Sequence, residues 1–257
     1  MSKKKNTLLR NTSILMAATI ISRVIGLLYR SPLGETIGNE GLGYYSTASN
    51  LYTILLLISS YSIPMAVSKI VSERLALKEY RNAHRVFRGA LLYAVIVGGI
   101  AALVAFFGGK FLLPYNQQNA ILALRVLAPT IFFSAILGVL RGYFQAHSTM
   151  MPTSISQIIE QVFNAAFSIG AAWFFIQQFA TNDTEHAKFG AAGGTLGTGA
   201  GVLAGLCFML LVYGVNRKSI LRKAAKDTRH REESYREIFQ VLFLMVTPVI
   251  FTTFIYN

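Results

Sequence analysis

The 257-residue sequence is poor in the residues on which soluble proteins depend. Only 14% of its residues are charged, whereas about 25% is usual for a soluble domain. Hydrophobic residues make up 53%, and the mean hydropathy is +0.48. The single cysteine, Cys207, lies in an apolar stretch, which excludes a disulfide framework and a CxxC metal site. These figures exclude an ordinary soluble domain and a disordered chain, and they indicate a helical protein that crosses a membrane several times.

The sequence also lacks the residue sets that many enzymes use. It contains no GxxxxGK loop for a nucleotide phosphate, and no positions suggest a Ser, His and Asp triad. The histidines are too scattered for metal-ligand spacing: they are His84, His147, His186 and His230. We therefore predict that the chain is not an enzyme and holds no cofactor. A transport activity would then draw on the membrane potential or on a Na+ or H+ gradient.

Apolar stretches of membrane-crossing length recur along the chain. Because a bilayer core is about 30 Å thick, a spanning helix needs about 20 mostly apolar residues. Six complete spans are predicted, at residues 9–29, 44–68, 89–109, 119–141, 153–176 and 190–215. Residues 1–215 then form one transmembrane lobe, 216–237 a basic cytoplasmic linker, and 238–257 the start of a truncated seventh helix. A cleaved signal peptide is disfavoured because Arg23 interrupts the first apolar stretch and further spans follow.

Basic residues are distributed unevenly over the loops. The chain has 24 Lys and Arg against 11 Asp and Glu, a net charge of +13. With the N-terminus in the cytoplasm, the outer segments carry only Arg30, Lys110 and Lys188, and most other basic residues lie inside. This distribution follows the positive-inside rule, so the charge indicates topology and contact with anionic membrane lipids rather than with nucleic acid. We predict a multi-pass protein with a cytoplasmic N-terminus.

Arg23 in the first span and Arg30 just beyond its outer end are the strongest candidates for a function. A charge in the bilayer core costs about 2.5–3.5 kcal/mol or more, so it needs a partner. Arg23 and Arg30 are seven residues apart, which places them on one helix face about 10 Å apart, with Gly26 between them to admit a ligand. Two guanidinium groups on a cavity suit a phosphate or pyrophosphate. The alternatives are that Arg30 extends to the outer interface and that Arg23 pairs with an internal carboxylate.

The fifth span has a polar face that includes Glu160, the only acidic residue well inside a span. Offsets of 3, 4, 7 and 11 residues place the following side chains on this face: Gln157, Glu160, Gln161, Asn164 and Ser168. Polar side chains in that number do not face lipid. We expect them to line a hydrated cavity; the alternative is hydrogen bonding to a neighbouring helix.

Other features of the spans have a structural interpretation beside a functional one. Lys69 is a candidate substrate ligand, and an ion pair with Glu73 at the inner interface is the alternative. Arg141 is a candidate ligand at the inner end of the fourth span, where anchoring is the alternative. In the sixth span glycine recurs every four residues, which predicts a face for close helix packing. These glycines are Gly193, Gly197, Gly201 and Gly205.

Three blocks of the sequence carry a family resemblance. They are ISRVIGLLYRSPLGETIGNEGLGYYS from Ile21, YSIPMAVSKIVSE from Tyr61, and the region from LRVLAPTIFF to LRGYFQAHSTMMPTSISQIIEQ. Over residues 8–215 the chain resembles the polysaccharide-biosynthesis branch of the multidrug/oligosaccharidyl-lipid/polysaccharide (MOP) exporter superfamily. Within that branch it most resembles the lipid II flippases of Gram-positive bacteria and their stage V sporulation relatives. The block from Arg141 to Gln161 is the most specific part.

This resemblance implies about 14 helices in two pseudo-symmetric lobes that enclose a cavity and work by alternating access. The chain would be the MATE/MOP-like N-terminal lobe, with six helices and the start of a seventh, and the C-terminal lobe of the same protein would be its partner. Arg23 matches a cavity arginine of helix one in the family, and Arg30 approximately matches a second. Lys69 is the nearest substitute for a helix-two arginine of Gram-negative members.

The expected fold is therefore an all-α polytopic membrane protein. The expected function is a flippase that moves an undecaprenyl-pyrophosphate-linked glycan across a bacterial plasma membrane, most of all lipid II for peptidoglycan, cell wall growth and cell shape. Alternatives are a flippase for another polysaccharide repeat unit, a MATE-type drug/cation antiporter, and a scaffold that transports nothing. An antiporter predicts an acidic cavity, and a scaffold gains nothing from charges inside the membrane.

Overall fold

The computed structural model describes residues 2–227 and 232–256, with side chains described for 12–227 and 232–248. These residues form helices joined by short turns, and none of them lies in a β-strand. The α-helices are α1 Ser2–Leu28, α2 Arg30–Leu56, α3 Ile63–Ala76, α4 Tyr80–Leu112, α5 Ile121–Ala146, α6 Met151–Phe179, α7 Asp183–Lys226 and α8 Tyr235–Tyr256. A π-helical turn, Leu57–Tyr61, joins α2 to α3, and a 3₁₀ turn, Tyr115–Ala120, precedes α5.

Within the described residues, five helical stretches are long and apolar enough to cross a bilayer. They are Arg30–Ala76, Tyr80–Leu112, Tyr115–Ala146, Met151–Phe179 and Asp183–Lys226, and Thr12–Leu28 is a shorter apolar helix that corresponds to the first predicted span. The prediction of an all-α polytopic membrane protein is confirmed. Apart from Tyr29 and Ser62, which lie between successive helices, the residues of the six predicted spans are helical, because backbone groups in lipid must find their hydrogen bonds inside the segment.

The segment between the first two predicted spans, which the sequence left outside both of them, is helical as well. Tyr29 keeps right-handed helical dihedral angles, φ −77° and ψ −16°, and the amide of Leu33 donates to its carbonyl across 3.1 Å. The helix is interrupted instead at Gly38, whose φ of +73° is accessible mainly to glycine. The local sequence does not predict this helix, because proline and glycine have the lowest helix propensities. Pro32 is tolerated because it lies in the first turn of α2, where its missing amide hydrogen costs nothing.

Glycines on α7 permit close packing against α6, as the sequence predicted. A Cβ atom built on Gly193, Gly197 or Gly201 would overlap the backbone of α6. Such close approach gives extensive van der Waals contact between two helices in a medium that offers little hydrophobic driving force. The predicted packing face is therefore confirmed, and it lies directly against the backbone of α6 at Glu160, Ser168 and Ala171.

Buried apolar side chains form two clusters along the bundle. One cluster lies between α3, α4, α5, α7 and α8, and includes Phe87, Tyr143 and Met209. The other lies mainly between α2, α5 and α7, includes Leu33 and Leu127, and extends to Ala105 of α4 and Ala172 of α6. Helix α1 contacts mainly α6, outside both clusters. A polar space between α1 and α6 can therefore form without an opening in the apolar core.

The first part of the predicted linker continues helix α7, which ends at Lys226. Residues 228–231 lie outside the described residues. After them, the chain returns to the turn between α3 and α4. Glu233 contacts Arg74 across 2.7 Å, and Glu232 contacts both Arg81 and Arg85. The linker is thus attached to the α3–α4 end of the bundle by acidic side chains.

Candidate functional site

A polar cavity of about 660 Å³ opens between α1, the start of α2, α5 and α6. It contains every residue proposed from the sequence as a ligand except Lys69: Arg23, Gly26, Arg30, Arg141, Gln157, Glu160, Gln161 and Asn164. The remaining lining residues are Thr19, Ser22, Leu27 and Tyr29. We call this space the arginine cavity.

Helix α1 contributes one continuous face to the arginine cavity. Counted from Thr19, the residues Ser22, Arg23, Gly26 and Arg30 follow at offsets of 3, 4, 7 and 11. This spacing is the same as on the polar face of α6, and it is the spacing of one helix face. Thr19 and Ser22 were missed by sequence analysis, although their spacing to Arg23 signalled them. Gly26 brings the two helices close, since a Cβ built there would lie 3.5 Å from Oε1 of Gln161.

The side chains of Arg23 and Arg30 are exposed on the cavity, and neither forms an ion pair within the part of the chain that the structure describes. The alternative that Arg23 pairs with an internal carboxylate is not what the structure shows, because the Glu160 carboxylate has another partner. Two guanidinium groups that share one cavity without an anion between them form an electropositive site. Arginine is the residue best suited to hold a phosphate there, because its planar group donates two parallel hydrogen bonds.

Arg141 lies on the opposite wall and is held by α6. Its Nη2 donates to Oε2 of Glu160 across 2.7 Å, and its Nε donates to Oγ of Ser156 across 2.9 Å. Arg141 was weighed as an anchor at the membrane interface, whereas its side chain turns inward and is mostly buried. With Arg23 and Arg30 included, three guanidinium groups and one carboxylate line the cavity. The site therefore carries a formal excess of two positive charges.

The polar face of α6 both lines a cavity and forms hydrogen bonds to a neighbouring helix, the two roles that its sequence allowed. Gln157, Glu160 and Gln161 line the arginine cavity, whereas Ser168 is fully buried and donates to the carbonyl of Gly194 on α7 across 2.8 Å. Asn164 lies between these two groups and lines the cavity. Its Oδ1 accepts from Ser168 at 3.0 Å. The cavity is thus built on a helix whose far end is fixed by hydrogen bonds to α7.

Two tyrosines complete this network, and sequence analysis missed both. The Asn164 amide donates to the hydroxyl of Tyr29 at 3.4 Å, and the hydroxyls of Tyr29 and Tyr45 lie 3.0 Å apart. Tyr29 and Arg30 are neighbours in a helical segment, and their side chains therefore point in different directions. The Tyr29 ring is buried, whereas the Arg30 side chain is exposed on the cavity. These contacts orient the junction of α1 and α2, where Arg30 lies. These hydrogen bonds join three segments that are far apart in the sequence, so no local sequence pattern predicts them.

Lys69 is not brought to the arginine cavity. Its side chain is exposed on α3, and the ion pair expected with Glu73 is not formed among the described residues. Glu73 contacts Arg74 instead, at 3.7 Å. An exposed pair of this kind contributes little free energy, so its partner is easily exchanged. The described residues also contain no cluster of His, Cys, Asp and Glu that could hold a metal ion.

Comparison with known proteins gives the same family across nearly the whole chain. Residues 8–255 match the family model described as polysaccharide biosynthesis protein. The chain is 26% identical over 254 residues to Lipid II flippase MurJ of Bacillus subtilis strain 168, covering 95% of the chain and 46% of that protein. It is 28% identical over 244 residues to Stage V sporulation protein B of the same organism, covering 92% of the chain and 45% of the relative. The chain thus spans about half the length of these relatives.

Solved structures show the same architecture. A MATE protein in complex with MaD3S superposes with a TM-score of 0.76 at 16% identity, over 96% of this chain and 53% of that one. Lipid II flippase MurJ in an inward closed conformation superposes with a TM-score of 0.59 at 12% identity, over 94% of this chain and 53% of that one. At these identities the similarity concerns the fold alone.

Proposed function

Because the chain belongs to the polysaccharide biosynthesis protein family, we propose that the full-length protein is a flippase for an undecaprenyl-pyrophosphate-linked cell-envelope precursor. Lipid II is the substrate we favour, moved from the inner to the outer leaflet of a bacterial plasma membrane by alternating access. Its product would feed peptidoglycan synthesis and so cell wall growth and cell shape. The similarity to Lipid II flippase MurJ over 95% of the chain supports this choice.

The excess positive charge of the arginine cavity is the observation that carries the proposal. Arg23 and Arg30 face this cavity without a carboxylate partner among the described residues, and an unpaired charge within a membrane is costly. An anion that enters with its lipid pairs with the arginines and offsets that cost. A pyrophosphate offers two phosphoryl groups, so each arginine can bind one of them with paired hydrogen bonds. Gln157, Gln161 and Asn164 would donate further hydrogen bonds at the rim of the same site.

The proposed cycle needs a second lobe. The chain spans about half the length of the relatives that it matches, and we propose that a C-terminal lobe of the same protein faces the arginine cavity. Alternating access would then move the two lobes relative to each other around the bound headgroup. The lipid tail would stay in the bilayer between the helices. In this arrangement the N-terminus lies in the cytoplasm, where the basic loops contact anionic lipids.

The membrane potential is the energy source that the charges favour. An inside-negative potential moves an anion outward with about 2.3 kcal/mol per charge per 100 mV. We propose that the negative headgroup bound by Arg23 and Arg30 uses this energy; coupling to Na+ or H+ is the alternative. Collapsing the potential across liposomes that contain the full-length protein should slow translocation. An unchanged rate would contradict this coupling.

Charge also separates the proposal from its main rival. A MATE-type antiporter for cationic drugs would need carboxylates on the cavity, and the described lining contains only Glu160, which is paired with Arg141. A flippase for another polysaccharide repeat unit would bind the same pyrophosphate. The two flippase substrates differ in the sugars attached to that group, so the precursor that accumulates in cells identifies the substrate.

Depletion of the protein in its host tests the proposal directly. Lipid II in each leaflet is quantified after depletion and after expression of wild type, Arg23→Ala or Arg125→Ala. Arg125 is the matched control because it lies on α5 outside the cavity and donates to the carbonyl of Phe106. We expect cytoplasmic accumulation that wild type and Arg125→Ala relieve and Arg23→Ala does not. An unchanged distribution of lipid II rules out this substrate, and accumulation of a different lipid-linked glycan identifies the other flippase.

A further inference from the structure

A second cavity of about 260 Å³ lies behind the arginine cavity, between α2, the π-helical turn, α5 and α6. The two cavities share Arg141, Gln157 and Glu160, which therefore form the wall between them. We call the second space the tyrosine cavity. Its remaining polar lining consists of Tyr52, Ser60, Tyr61, Ser134, Gln145 and Thr153.

The charges of the tyrosine cavity differ from those of the arginine cavity. The charged side chains on its lining are Arg141 and Glu160, and these two are joined by the ion pair at 2.7 Å. The tyrosine cavity is thus neutral, while Arg23 and Arg30 leave the arginine cavity positive. An anion gains nothing by moving from the arginine cavity into the tyrosine cavity. An uncharged group with many hydroxyls and amides fits the tyrosine cavity better.

Polar atoms without partners mark the tyrosine cavity as a binding site. Thr153 is 1% exposed, and its Oγ1 has no hydrogen-bond partner among the described residues. Oε1 of Gln157 is also buried and unpaired within the same part of the chain. Each buried polar atom left without a partner costs about 1–3 kcal/mol. Such atoms are retained where a ligand or water supplies the missing hydrogen bond.

The backbone beside the tyrosine cavity has an unusual conformation as well. Leu57–Tyr61 form a π-helical turn, a rare conformation that occurs frequently at functional sites. This turn places Ser60 and Tyr61 on the cavity, and the Tyr61 ring is 57% exposed. On the other side, the Tyr52 hydroxyl lies 3.3 Å from Oγ of Ser134. Tyrosine offers an apolar ring face and a polar hydroxyl together, which is the combination that a sugar ring requires.

We propose that the tyrosine cavity binds the first sugar of the substrate while the arginine cavity binds its pyrophosphate. This inference rests on the proposed function and extends it, because it assigns a separate subsite to the uncharged part of the headgroup. Arg141, Gln157 and Glu160 stand between the subsites and can contact the junction of phosphate and sugar. A site that hydrogen-bonds hydroxyl groups rejects a ligand that lacks them, so this subsite also gives selectivity for glycosylated lipids.

Binding to two lipids tests the inference. The full-length protein in lipid nanodiscs is titrated with undecaprenyl pyrophosphate and with the same lipid bearing one N-acetylated sugar. Thr153→Val keeps the side-chain volume and removes the unpaired hydroxyl, and Tyr61→Ala removes an exposed ring. The matched controls are Thr130→Val, which is 2% exposed on α5, and Tyr115→Ala, which is 96% exposed; neither residue lines the two cavities.

We expect Thr153→Val and Tyr61→Ala each to weaken binding of the sugar-bearing lipid about three- to tenfold, the loss of roughly one hydrogen bond or ring contact. Both variants should bind the bare pyrophosphate lipid as wild type does, and the controls should change neither affinity. Equal weakening for both lipids, or no weakening for either, overturns the subsite. Arg23→Gln should weaken the binding of both lipids. If it does so while Thr153→Val and Tyr61→Ala leave both affinities unchanged, only the anion site of the proposed function stands. If wild type binds neither lipid, the proposed function fails and the subsite with it.

Discussion

The guanidinium of Arg141 donates to the carboxylate of Glu160 across 2.7 Å and so joins α5 to α6 at the wall between two cavities. Both side chains are largely buried. The pair neutralises one of three cavity arginines and leaves the other two free. If a phosphate binds in the arginine cavity as proposed, Glu160 competes with it for Arg141.

Glu160→Gln should separate binding from transport. Without the carboxylate, Arg141 is free to bind the ligand, and the excess charge of the arginine cavity rises from two to three. We expect undecaprenyl pyrophosphate to bind about tenfold more tightly, a change of about 1.4 kcal/mol, and to be released more slowly. Translocation by the full-length protein in liposomes should fall, although membrane insertion is preserved. Glu35→Gln, at an exposed position of α2, is the control. Normal transport with normal affinity would make Glu160 a structural residue only.

Arg23 and Arg30 should act as a coupled pair. In the proposed site each would donate charge-assisted hydrogen bonds worth about 1.5–3 kcal/mol, so Arg23→Gln or Arg30→Gln alone should weaken pyrophosphate binding at least about tenfold. Because both would contact one ligand, the double variant should lose less binding free energy than the sum of the single variants, with a coupling energy of about 0.5–3 kcal/mol. A binding titration of the four proteins measures this cycle, with Arg125→Gln as control. Strict additivity would mean that the two arginines act independently, and an unchanged affinity for Arg30→Gln would favour the alternative in which Arg30 extends to the membrane interface alone.

Most of the helices were predictable because lipid imposes a simple rule. Apolar runs of membrane length must be helical, and the predicted spans accordingly lie within the observed helices. The helix from Arg30 to Ile37 was not predictable, because Pro32 and the neighbouring glycines argue against helix locally. Its stability comes from Leu33 and Ile37, which pack against glycines of α7 far away in the sequence.

The candidate site shows the same limit. Spacing on single helices identified the faces of α1 and α6, since residues three, four and seven apart lie together. It could not identify which acid partners which arginine, because the Arg141–Glu160 pair joins two helices. The hydrogen bonds of Tyr29 with Tyr45 and Asn164 could not be predicted from the sequence for the same reason. Such contacts depend on packing between segments that the sequence separates widely.

Gly201→Ala should destabilise the fold through the α6–α7 interface. A methyl group at this position overlaps the carbonyl oxygen of Glu160, so the helices must separate or shift. Overpacking of this kind costs about 1–3 kcal/mol, and it would also displace the polar face of α6. Gly170→Ala is the control, because a Cβ there meets no atom within 4 Å. Thermal unfolding in detergent should show a lower midpoint for Gly201→Ala alone. Equal midpoints for both variants would mean that the glycines of α7 do not set the helix separation.

Glu232→Gln should loosen the linker between α7 and α8. The carboxylate of Glu232 contacts both Arg81 and Arg85, so its loss removes two ion pairs at once and leaves two arginines facing each other. These side chains are only partly buried, so we expect the free energy of local unfolding of the linker to fall by about 1 kcal/mol. Deuterium uptake at residues 232–237 should then become severalfold faster. Glu73→Gln is the control, because Glu73 is 57% exposed and lies 3.7 Å from Arg74. Uptake that stays at the wild-type rate in Glu232→Gln would show that Arg74–Glu233 and the packing of α8 hold the linker without it.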